Sequence, residues 1–422
     1  MGNKRVLMVA YHFPPLAGSS GVQRTLRFAQ YLPRFGWEPI VLTTHPRAYE
    51  QTGDDLLKEI PPATVVHRAL ALDTARHLSL FGRYPEFMAR PDRWISWRFA
   101  AIRDGMRLIE THRPQVVWST YPIATAHVIG SELARRTSIP WVADFRDPMA
   151  QDGYPANPRT WNAFRRIEET AMRQAMLCTF TAESAVSLYR RRYPDATARL
   201  ELLENGYDEA AFAAAEATAN AHEPLNAGLL TLLHSGIVYP DERDPAPLFA
   251  AVADLVRTAP QTRQRLRLRF RAPVHDDLLR QLVAAHGLDD IVEILPTVSY
   301  QEALAEMLRA DGLLVLQAAN CNEQIPAKLY EYLRAKRPIL ALVSPVGDTA
   351  GALRRAGIRA IASLGDRAAI ASVLRSFVDD PLRGTVANEQ AVAGASRLEL
   401  TRRLATLLDE LVASAAFAPV SQ

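Results

Sequence analysis

The chain has 422 residues, more than one hydrophobic core usually organises, so two domains of roughly 200 residues each are expected. Its 49 basic and 46 acidic residues leave a formal net charge of only +3, which gives no general case for nucleic-acid binding and favours a small-molecule partner. Two cysteines, Cys178 and Cys321, are too few for a disulfide framework or a zinc cluster and fit a reducing compartment. With no secretion signal and no apolar run near the ~18 residues of a spanning helix, a cytoplasmic protein is expected.

Short apolar runs alternate with amphipathic helical patterns along the first half of the chain. The strand RVLMVAY (5–11), a helix over 21–36 and a strand over 38–44 form one βαβ unit. The rhythm continues with helices over 98–112, 124–138 and 159–176 and with strands over 114–120, 140–147, 177–182 and 199–208. This alternation favours a parallel sheet with helices on both faces, in an N-terminal domain over residues 1–208.

A second series of the same kind follows an alanine-rich segment, 209–228, which we interpret as a linker. Strands are predicted over 229–236, 265–270, 290–296, 312–318 and 337–343, and helices over 246–257, 276–286, 300–309 and 326–335. Both domains therefore have the α/β pattern of Rossmann-like folds, the second spanning 229–395. Residues 396–422 carry a long amphipathic helix, which is a candidate to cross back to the N-terminal domain.

Polar and small residues follow the first strand. Doubly wound sheets bind ligands at the carboxyl ends of their strands, and two such domains facing each other form a cleft. Gly18, Ser19, Ser20 and Gly21 lead from the first strand into a helix, so backbone N–H groups there can meet an anion without an intervening Cβ atom. An ordinary strand-to-helix turn is the alternative, since the loop is neither GxGxxG nor a Walker loop.

Two glutamates occupy a comparable place in the second domain. Glu323 lies in the loop after strand 312–318, and Glu331 lies inside the helix that begins near Pro326, a residue favoured in a first helical turn. Lys328 precedes Glu331 by three positions, so a solvated intrahelical pair is the alternative. Two carboxylates on either side of a proline after a strand are much rarer than such a pair and favour a ligand site.

The pattern of Glu, seven residues, Glu and then the apolar strand PILAL resembles the signature of the retaining family-4 glycosyltransferases with the GT-B architecture. The stretch IPAKLYEYLRAKRPILA is especially similar to bacterial members that build surface polysaccharides. Further similar motifs cover nearly the whole chain: YHFPPLAGSSGVQRTLRFAQYL, PWVADFRDP, ENGYD, HSGIVYPDERDP and the SR that opens the last helix.

The resemblance implies two Rossmann-like domains facing across a cleft and a hexosyltransferase-like enzyme. Such an enzyme would move a sugar from a nucleotide sugar to a glycan or lipid-linked acceptor, with retention, in bacterial surface-polysaccharide or glycoconjugate biosynthesis. It would need neither a metal nor another cofactor, because electrostatic stabilisation of the departing diphosphate suffices in this architecture. It would bind no nucleic acid.

On the donor side, the resemblance implies that Glu331 binds the ribose hydroxyls and that Glu323 contacts the sugar or lies by the reacting centre. Relatives place an arginine and a lysine after the first strand of this domain, where this chain has Ile237 and Glu242. Arg243 is therefore expected to bind the diphosphate, because a guanidinium pairs bidentately with phosphate oxygens.

The remaining donor contacts come from the same loops. The backbone at Ser235 and Gly236 is expected to stabilise the leaving group with Arg243, and Lys328 is the next candidate. A surface pairing of Arg243 with Asp241 or Asp244 is the alternative.

In the N-terminal domain, many relatives carry a histidine after the strand that here reads WVADF. This chain has Arg146 there, followed by Asp147, and an arginine can only donate hydrogen bonds. We expect Arg146 to contact an anionic or hydroxyl-rich group and Asp147 to accept from sugar or acceptor, both as catalytic candidates with Glu323. An Asp144–Arg146–Asp147 loop network is the alternative.

Two further residues are second-tier candidates on the acceptor side. His127 in YPIATAHVIG lies on a predicted helix, where a packed histidine is the more common case. Asn205 belongs to the ENGYD motif.

Residues 81–103 mix aromatic and basic side chains on a poorly patterned segment. This composition suits a membrane interface where a lipid-linked acceptor would wait, so peripheral contact with the inner face of the membrane is expected. A capping subdomain with buried aromatic residues is the alternative.

Two other functions stay open. A catalytically silent GT-B module that binds a nucleotide sugar or a partner transferase is one, since Ile237 and Arg146 depart from the family pattern. A nucleotide-sugar 2-epimerase of similar architecture is the other, although the N-terminal loops offer few histidines for it.

Overall fold

The computed structural model describes residues 4–17, 21–218, 223–381 and 386–417. The chain divides into two compact units, Met1–Asn205 with Arg397–Gln422, and Gly206–Ser396. Each unit contains one parallel β-sheet with helices packed on it.

The first unit contains a seven-stranded sheet in the order β3-β2-β1-β4-β5-β6-β7. Its strands are β1 (Lys4–Val9), β2 (Trp37–Thr44), β3 (Val65–Ala69), β4 (Val116–Thr120), β5 (Trp141–Arg146), β6 (Leu177–Phe180) and β7 (Arg199–Leu202). Its first six helices are α1 (Gly21–Tyr31), α2 (Thr74–His77), α3 (Trp97–His112), α4 (Thr125–Thr137), α5 (Pro158–Gln174) and α6 (Glu183–Arg192). The strand order reverses between β1 and β4, which is where such sheets open a crevice for ligands.

The second unit contains a six-stranded sheet in the order β10-β9-β8-β11-β12-β13. Its strands are β8 (Leu230–Ser235), β9 (Leu266–Arg271), β10 (Val292–Leu295), β11 (Gly312–Leu316), β12 (Ile339–Leu342) and β13 (Ile361–Ala362). Its helices are α7 (Glu209–Glu216), α8 (Ala246–Thr258), α9 (Asp276–His286), α10 (Tyr300–Arg309), α11 (Lys328–Ala335), α12 (Asp348–Arg355), α13 (Arg367–Asp379) and α14 (Glu389–Gly394). Here the order reverses between β8 and β11.

Short 3-10 helices occur in both units. They span Leu32–Phe35, Pro46–Ala48, Leu57–Glu59, Glu86–Ala89, Pro260–Gln264 and Ala319–Cys321. The first of them shortens the helix predicted over 21–36, because Pro33 has no N–H to continue an α-helix and its ring clashes with the preceding turn.

The last helix, α15 (Arg397–Phe417), packs in the first unit. Leu404 and Leu408 join Trp37 in one buried core cluster, and the Trp37 indole N–H donates to Asp409 Oδ1 at 2.8 Å. This return of the final helix and the two Rossmann-like sheets confirm the predicted fold class.

Helix α7 lies within segment 209–228, which the sequence suggested as a linker, and it packs inside the second unit. Its Phe212 is fully buried, and Glu209 and Glu216 both pair with Arg334 on α11. None of the helices in the described ranges is long and apolar enough to cross a membrane.

Candidate functional site

Lys328 and Gly236 meet where the strand order of the second sheet reverses. Gly236 follows β8 with φ 137°, a conformation that favours glycine. A Cβ atom built on it would stand 4.0 Å from Cε of Lys328, the first residue of α11. The ammonium-bearing chain therefore lies over the carboxyl end of β8.

Glu331 is held one turn further along α11. Its exposed fraction is only 6%, and its Oε1 accepts a hydrogen bond from the Tyr300 hydroxyl at 2.9 Å. Its Oε2 lies 3.4 Å from Lys328 Nζ and has no hydrogen-bond partner within the described residues. The Lys328–Glu331 pair exists, but its carboxylate is buried and fixed in position, unlike a solvated surface pair.

The backbone at the end of β8 is already hydrogen-bonded. The Ser235 N–H donates to the Tyr332 hydroxyl at 2.9 Å, and the Gly236 N–H donates to the carbonyl of Arg271 at 2.9 Å. These bonds fix the strand end and leave neither N–H directed at a ligand. Positive charge at this strand end therefore comes mainly from side chains.

Arg243 is a half-buried cation in the same loop region. Its Nη1 donates to the Ile237 carbonyl at 2.7 Å, and its guanidinium stacks over the Tyr239 ring with 5.3 Å to the centroid. In the part of the chain that the structure describes, it forms no ion pair with Asp241 or Asp244. The surface-pair alternative is therefore not formed.

Glu323 lies half-buried in the loop between β11 and α11. The side-chain amide of Gln317 donates to the carbonyls of Cys321 at 2.8 Å and Gln324 at 3.0 Å, and Thr349 adds a hydroxyl bond to Gln324 at 3.1 Å. The loop that carries Glu323 is thus rigidly braced.

His234 is a polar residue of this region that the sequence reasoning did not select. Its Nδ1 hydrogen-bonds the Leu314 carbonyl at 3.0 Å, and burial, together with the charges of Arg243 and Lys328, lowers its pKa to about 4. The imidazole is therefore neutral at pH 7. A histidine inside the apolar run LLTLLHSG was the available signal.

In the first unit, Asp144 is the centre of a buried network. Its two carboxylate oxygens accept from Arg24 Nη2 and Nε at 2.8 and 3.0 Å and from the hydroxyls of Thr120 and Thr179, both at 2.7 Å. Burial opposes its ionisation, yet Arg24 and the two hydroxyls hold the pKa of Asp144 below its usual value. Asp144 thus joins α1 to three neighbouring strands.

Asn205, a second-tier candidate, lies at the edge of this network. Its Oδ1 accepts from Arg24 Nη1 at 3.4 Å, and the same nitrogen donates to the Glu204 carbonyl at 2.8 Å. Arg24 therefore brings Asn205 to the carboxyl end of the sheet.

Arg146, at the end of β5, converges with His12 on the first residue of α1. A Cβ atom at Gly21 would stand 3.1 Å from Arg146 Nη1 and 2.3 Å from His12 Nδ1, so only glycine fits there. Burial and the Arg146 charge lower the pKa of His12 to about 3. The sequence reasoning missed His12, although a polar residue in YHFPP after the first strand was a usable signal. Gly18, Ser19 and Ser20 lie outside the described residues.

Asp147 follows Arg146 but is bonded elsewhere. Its Oδ1 accepts from the Thr181 hydroxyl at 3.2 Å, and burial raises its pKa. Asp144 is ion-paired with Arg24, but the charges of Asp147 and Asp144 still act on Arg146 and partly offset the lowering of its pKa by burial.

His127 is fully buried on α4. Its Nδ1 lies 2.8 Å from Ser119 Oγ, which also accepts from the Trp141 indole N–H at 2.8 Å, and its ring packs 4.8 Å from that of Phe145. This is the geometry of the packed histidine that the sequence left open, and burial lowers its pKa to about 4.

We expect His127→Gln to flatten the acid dependence of stability in the first unit. A histidine in an unfolded chain has a pKa of about 6.5, so between about pH 6.5 and 4 the unfolded state binds a proton that the native state does not. The free energy of unfolding of the parent should therefore decrease as the pH is lowered from 6.5 to 4, by up to about 1.4 kcal/mol for each pH unit. All six tryptophans lie between residues 37 and 161, so urea unfolding followed by their fluorescence reports this unit.

The control is the parent protein at pH 7.5, where neither state is protonated. Part of the slope should survive in the variant, because His12 also has a lowered pKa. An unchanged slope in His127→Gln would contradict the prediction.

Comparisons with known proteins agree with this architecture. Residues 20–206 match the family model of the glycosyl transferase 4-like domain. None of the curated proteins compared with the chain matches it.

Solved structures with a similar fold cover nearly the whole chain. A UDP-forming α,α-trehalose-phosphate synthase from Burkholderia vietnamiensis aligns over 100% of both chains, with 12% identity and a TM-score of 0.67. Sucrose-phosphate synthase from Thermosynechococcus elongatus covers 98% of this chain and 97% of its own, with 15% identity and a TM-score of 0.63. Anabaena HepE in complex with UDP covers 98% of both chains, with 12% identity and a TM-score of 0.61. The chain therefore has the GT-B fold, and its residues 20–206 resemble a glycosyl transferase 4-like domain.

Proposed function

We propose that the protein is a glycosyltransferase that moves a sugar from a nucleotide-sugar donor to a glycan or lipid-linked acceptor. The observation that carries the proposal is the group formed by Glu331, Lys328 and Arg243 at the strand-order reversal of the second sheet. A fixed carboxylate beside two cations is complementary to a ribose hydroxyl pair followed by a diphosphate. The match of residues 20–206 to a glycosyl transferase 4-like domain supports the same reaction class.

Each residue of this group has a separate task in the proposed reaction. Glu331 accepts from the ribose hydroxyls through Oε2, while Tyr300 keeps its Oε1 in place. Arg243 and Lys328 stabilise the negative charge that grows on the leaving diphosphate, which is the main electrostatic contribution to such a transfer. Glu323, on the braced loop, contacts the transferred sugar or lies by the reacting centre.

The finer features of the proposal follow the family resemblance. We propose that transfer occurs with retention, without a metal, and in surface-polysaccharide or glycoconjugate biosynthesis at the inner face of a bacterial membrane. Anabaena HepE, a structural neighbour, was solved with UDP and with UDP-glucose, which makes uridine nucleotides the first donors to test.

Glu331→Ala is expected to weaken UDP binding by about 1.5–3 kcal/mol, the loss of a charge-assisted hydrogen bond. Isothermal titration calorimetry measures the affinity directly. Glu331→Gln keeps an acceptor for Tyr300 and should lose less. Glu389→Ala removes an exposed glutamate from the same unit and is the matched control. An unchanged UDP affinity in a folded Glu331→Ala protein would exclude the ribose role.

A panel of nucleotide sugars separates the proposal from its two rivals. Stabilisation in a thermal-shift assay identifies the donor, and donor hydrolysis or transfer to added glycans then tests catalysis. Tight binding without turnover in any acceptor mixture would favour a silent binding module. Inversion at C2 of the sugar without transfer would favour an epimerase.

We also propose weak peripheral membrane contact through a turn in the first unit. Leu80 and Arg83 exchange two backbone hydrogen bonds, and Phe81 at the tip adopts φ 51° with 95% of its surface exposed. Leu80 is 73% exposed, whereas Trp97 is fully buried and Trp94 packs on Tyr11. The apolar tip, and not the tryptophans of segment 81–103, is therefore the part that can enter a bilayer interface.

Replacing Leu80 and Phe81 with serine is expected to abolish flotation with vesicles containing anionic lipid at low salt. The turn loses its buried apolar area, while exposed Arg83 keeps its attraction to acidic headgroups, about 1 kcal/mol per basic residue. Val346→Ser removes a valine that is 88% exposed in the second unit and is the control. A parent protein that never floats would refute membrane contact.

A further inference from the structure

His234 lies on β8, two positions before Gly236, and its side chain is buried. Only 6% of its surface is exposed, and its ring centroid lies 5.8 Å from that of Phe270 on β9. The ring nitrogen Nδ1 lies 3.0 Å from the Leu314 carbonyl oxygen on β11. Burying a polar group costs free energy unless it is hydrogen-bonded, so both ring nitrogens call for a partner.

The hydrogen bonding of this ring is incomplete. Its Nε2 is buried and has no hydrogen-bond partner of good geometry within the described residues. The carbonyl of Ile237 also lies close to the ring and favours its protonated form, and the same carbonyl accepts from Arg243 Nη1 at 2.7 Å. Two carbonyl oxygens thus face a ring that has one N–H group when neutral and two when protonated. The partners around His234 therefore suit an imidazolium better than a neutral imidazole.

Other features around the ring oppose the second proton. Burial disfavours the imidazolium most strongly, and the charges of Arg243, in the loop after β8, and of Lys328, at the start of α11, disfavour it further. On the neighbouring elements, the Tyr332 hydroxyl stays neutral because burial raises its pKa, and Arg271 at the end of β9 is ion-paired with Glu306. Arg243 and Lys328 are therefore the two charges whose neutralisation would favour the imidazolium.

A diphosphate reverses this balance, because its negative charge offsets the two cations, of which Lys328 is already 3.4 Å from a Glu331 carboxylate oxygen. We infer that His234 is a third cationic group of the donor site, which takes up a proton from solvent when the diphosphate of a nucleotide sugar binds to Arg243 and Lys328. The imidazolium then donates from both ring nitrogens and adds positive charge near the departing diphosphate. The inference rests on the proposed glycosyl transfer for its ligand, but its test requires binding and no turnover.

The direction of the pH dependence follows from linkage. Because the bound protein holds one more proton than the free protein, donor affinity rises as the pH falls, by up to about tenfold for each pH unit. The rise ends near the pKa of His234 in the free protein, about 4, below which both forms are protonated. UDP itself is a poor probe, because its terminal phosphate titrates at about pH 6. UDP-glucose and GDP-mannose have doubly esterified diphosphates and are used instead.

Isothermal titration calorimetry of the intact protein between pH 7.5 and 5.5, in buffers of different ionisation enthalpy, measures affinity and proton uptake together. The parent should bind one of the two nucleotide sugars about 3- to 10-fold more tightly at pH 5.5 than at pH 7.5, with uptake of a proton. His234→Gln keeps a hydrogen-bonding side chain that does not titrate, and it should lose both effects. His286→Gln, at the end of α9, is the matched control and should retain both.

The proton uptake of the parent requires no variant and decides the outcome even where His234→Gln does not fold. A parent whose affinity is the same at pH 7.5 and 5.5 and that takes up no proton would overturn the inference and leave donor binding intact. An equal pH dependence in the parent and a folded His234→Gln would overturn it as well. Binding of neither nucleotide sugar at any pH would instead overturn the proposed donor site, and the inference with it.

Discussion

Replacing Asp144 with alanine is expected to destabilise the first unit by about 3–5 kcal/mol, because it leaves the Arg24 guanidinium buried without its carboxylate. The exposed fractions of the two side chains are 5% for Arg24 and 0% for Asp144, so water cannot compensate for the loss. The hydroxyls of Thr120 and Thr179 lose their acceptor in the same step. Urea unfolding followed by tryptophan fluorescence measures the change in the unit concerned.

A double mutant distinguishes the lost pair from a general cavity effect. Arg24→Met together with Asp144→Leu replaces the buried ions with apolar side chains, and such replacements are often neutral or stabilising. The double variant should therefore be more stable than Asp144→Ala. Glu410→Ala, which removes an exposed partner of Arg199, changes a half-exposed ion pair and should cost far less. A loss below about 1 kcal/mol in Asp144→Ala would show that the network contributes little.

The sequence predicted the elements of the fold but not this network. The alternation of strands and helices follows from the local spacing of apolar residues. For this reason the helices predicted over 276–286 and 300–309 begin and end at the same residues as α9 and α10. Arg24 and Asp144 are 120 positions apart, and only the order of strands in the sheet brings them together. Local patterns also missed β3, whose residues have mixed burial because it lies at the sheet edge.

In the candidate site, too, local sequence predicted some features, while others depend on tertiary packing. The family resemblance assigned Glu331, Lys328 and Arg243 to one donor site. In the structure Lys328 lies over the end of β8 beside Glu331, and Arg243 is bonded to Ile237 just after that strand. The sequence did not foresee that the Ser235 N–H would be taken by Tyr332, 97 positions away, since that bond depends on how α11 packs on the sheet. Nor did it separate Trp97 in the core from Phe81 on the surface, because both are aromatic residues in a segment without periodicity.

The backbone N–H groups at the end of β8 are already hydrogen-bonded, so the proposed reaction depends more strongly on Arg243. With the backbone donors at Ser235 and Gly236 committed to the protein, the proposed reaction depends on Arg243 and Lys328 as the main source of positive charge for the leaving diphosphate. Arg243→Ala is therefore expected to lower kcat by about 10²–10³, the usual cost of removing one preorganised stabilising donor. Arg243→Lys should retain part of the activity, because the charge matters first and the planar fork second.

Steady-state kinetics with the identified donor can separate this electrostatic role from a structural one. The Arg243 guanidinium also donates to the Ile237 carbonyl, so a purely structural role would lower the thermal stability of Arg243→Ala along with its rate. We expect the fall in kcat to persist at temperatures well below the unfolding transition of Arg243→Ala, where the variant is fully folded, while Arg375→Ala, a change of an exposed arginine on α13, should leave kcat unchanged. Equal rates for the parent and Arg243→Ala would move the diphosphate contact to Lys328, whose chain already lies 4.0 Å from the Cβ position of Gly236.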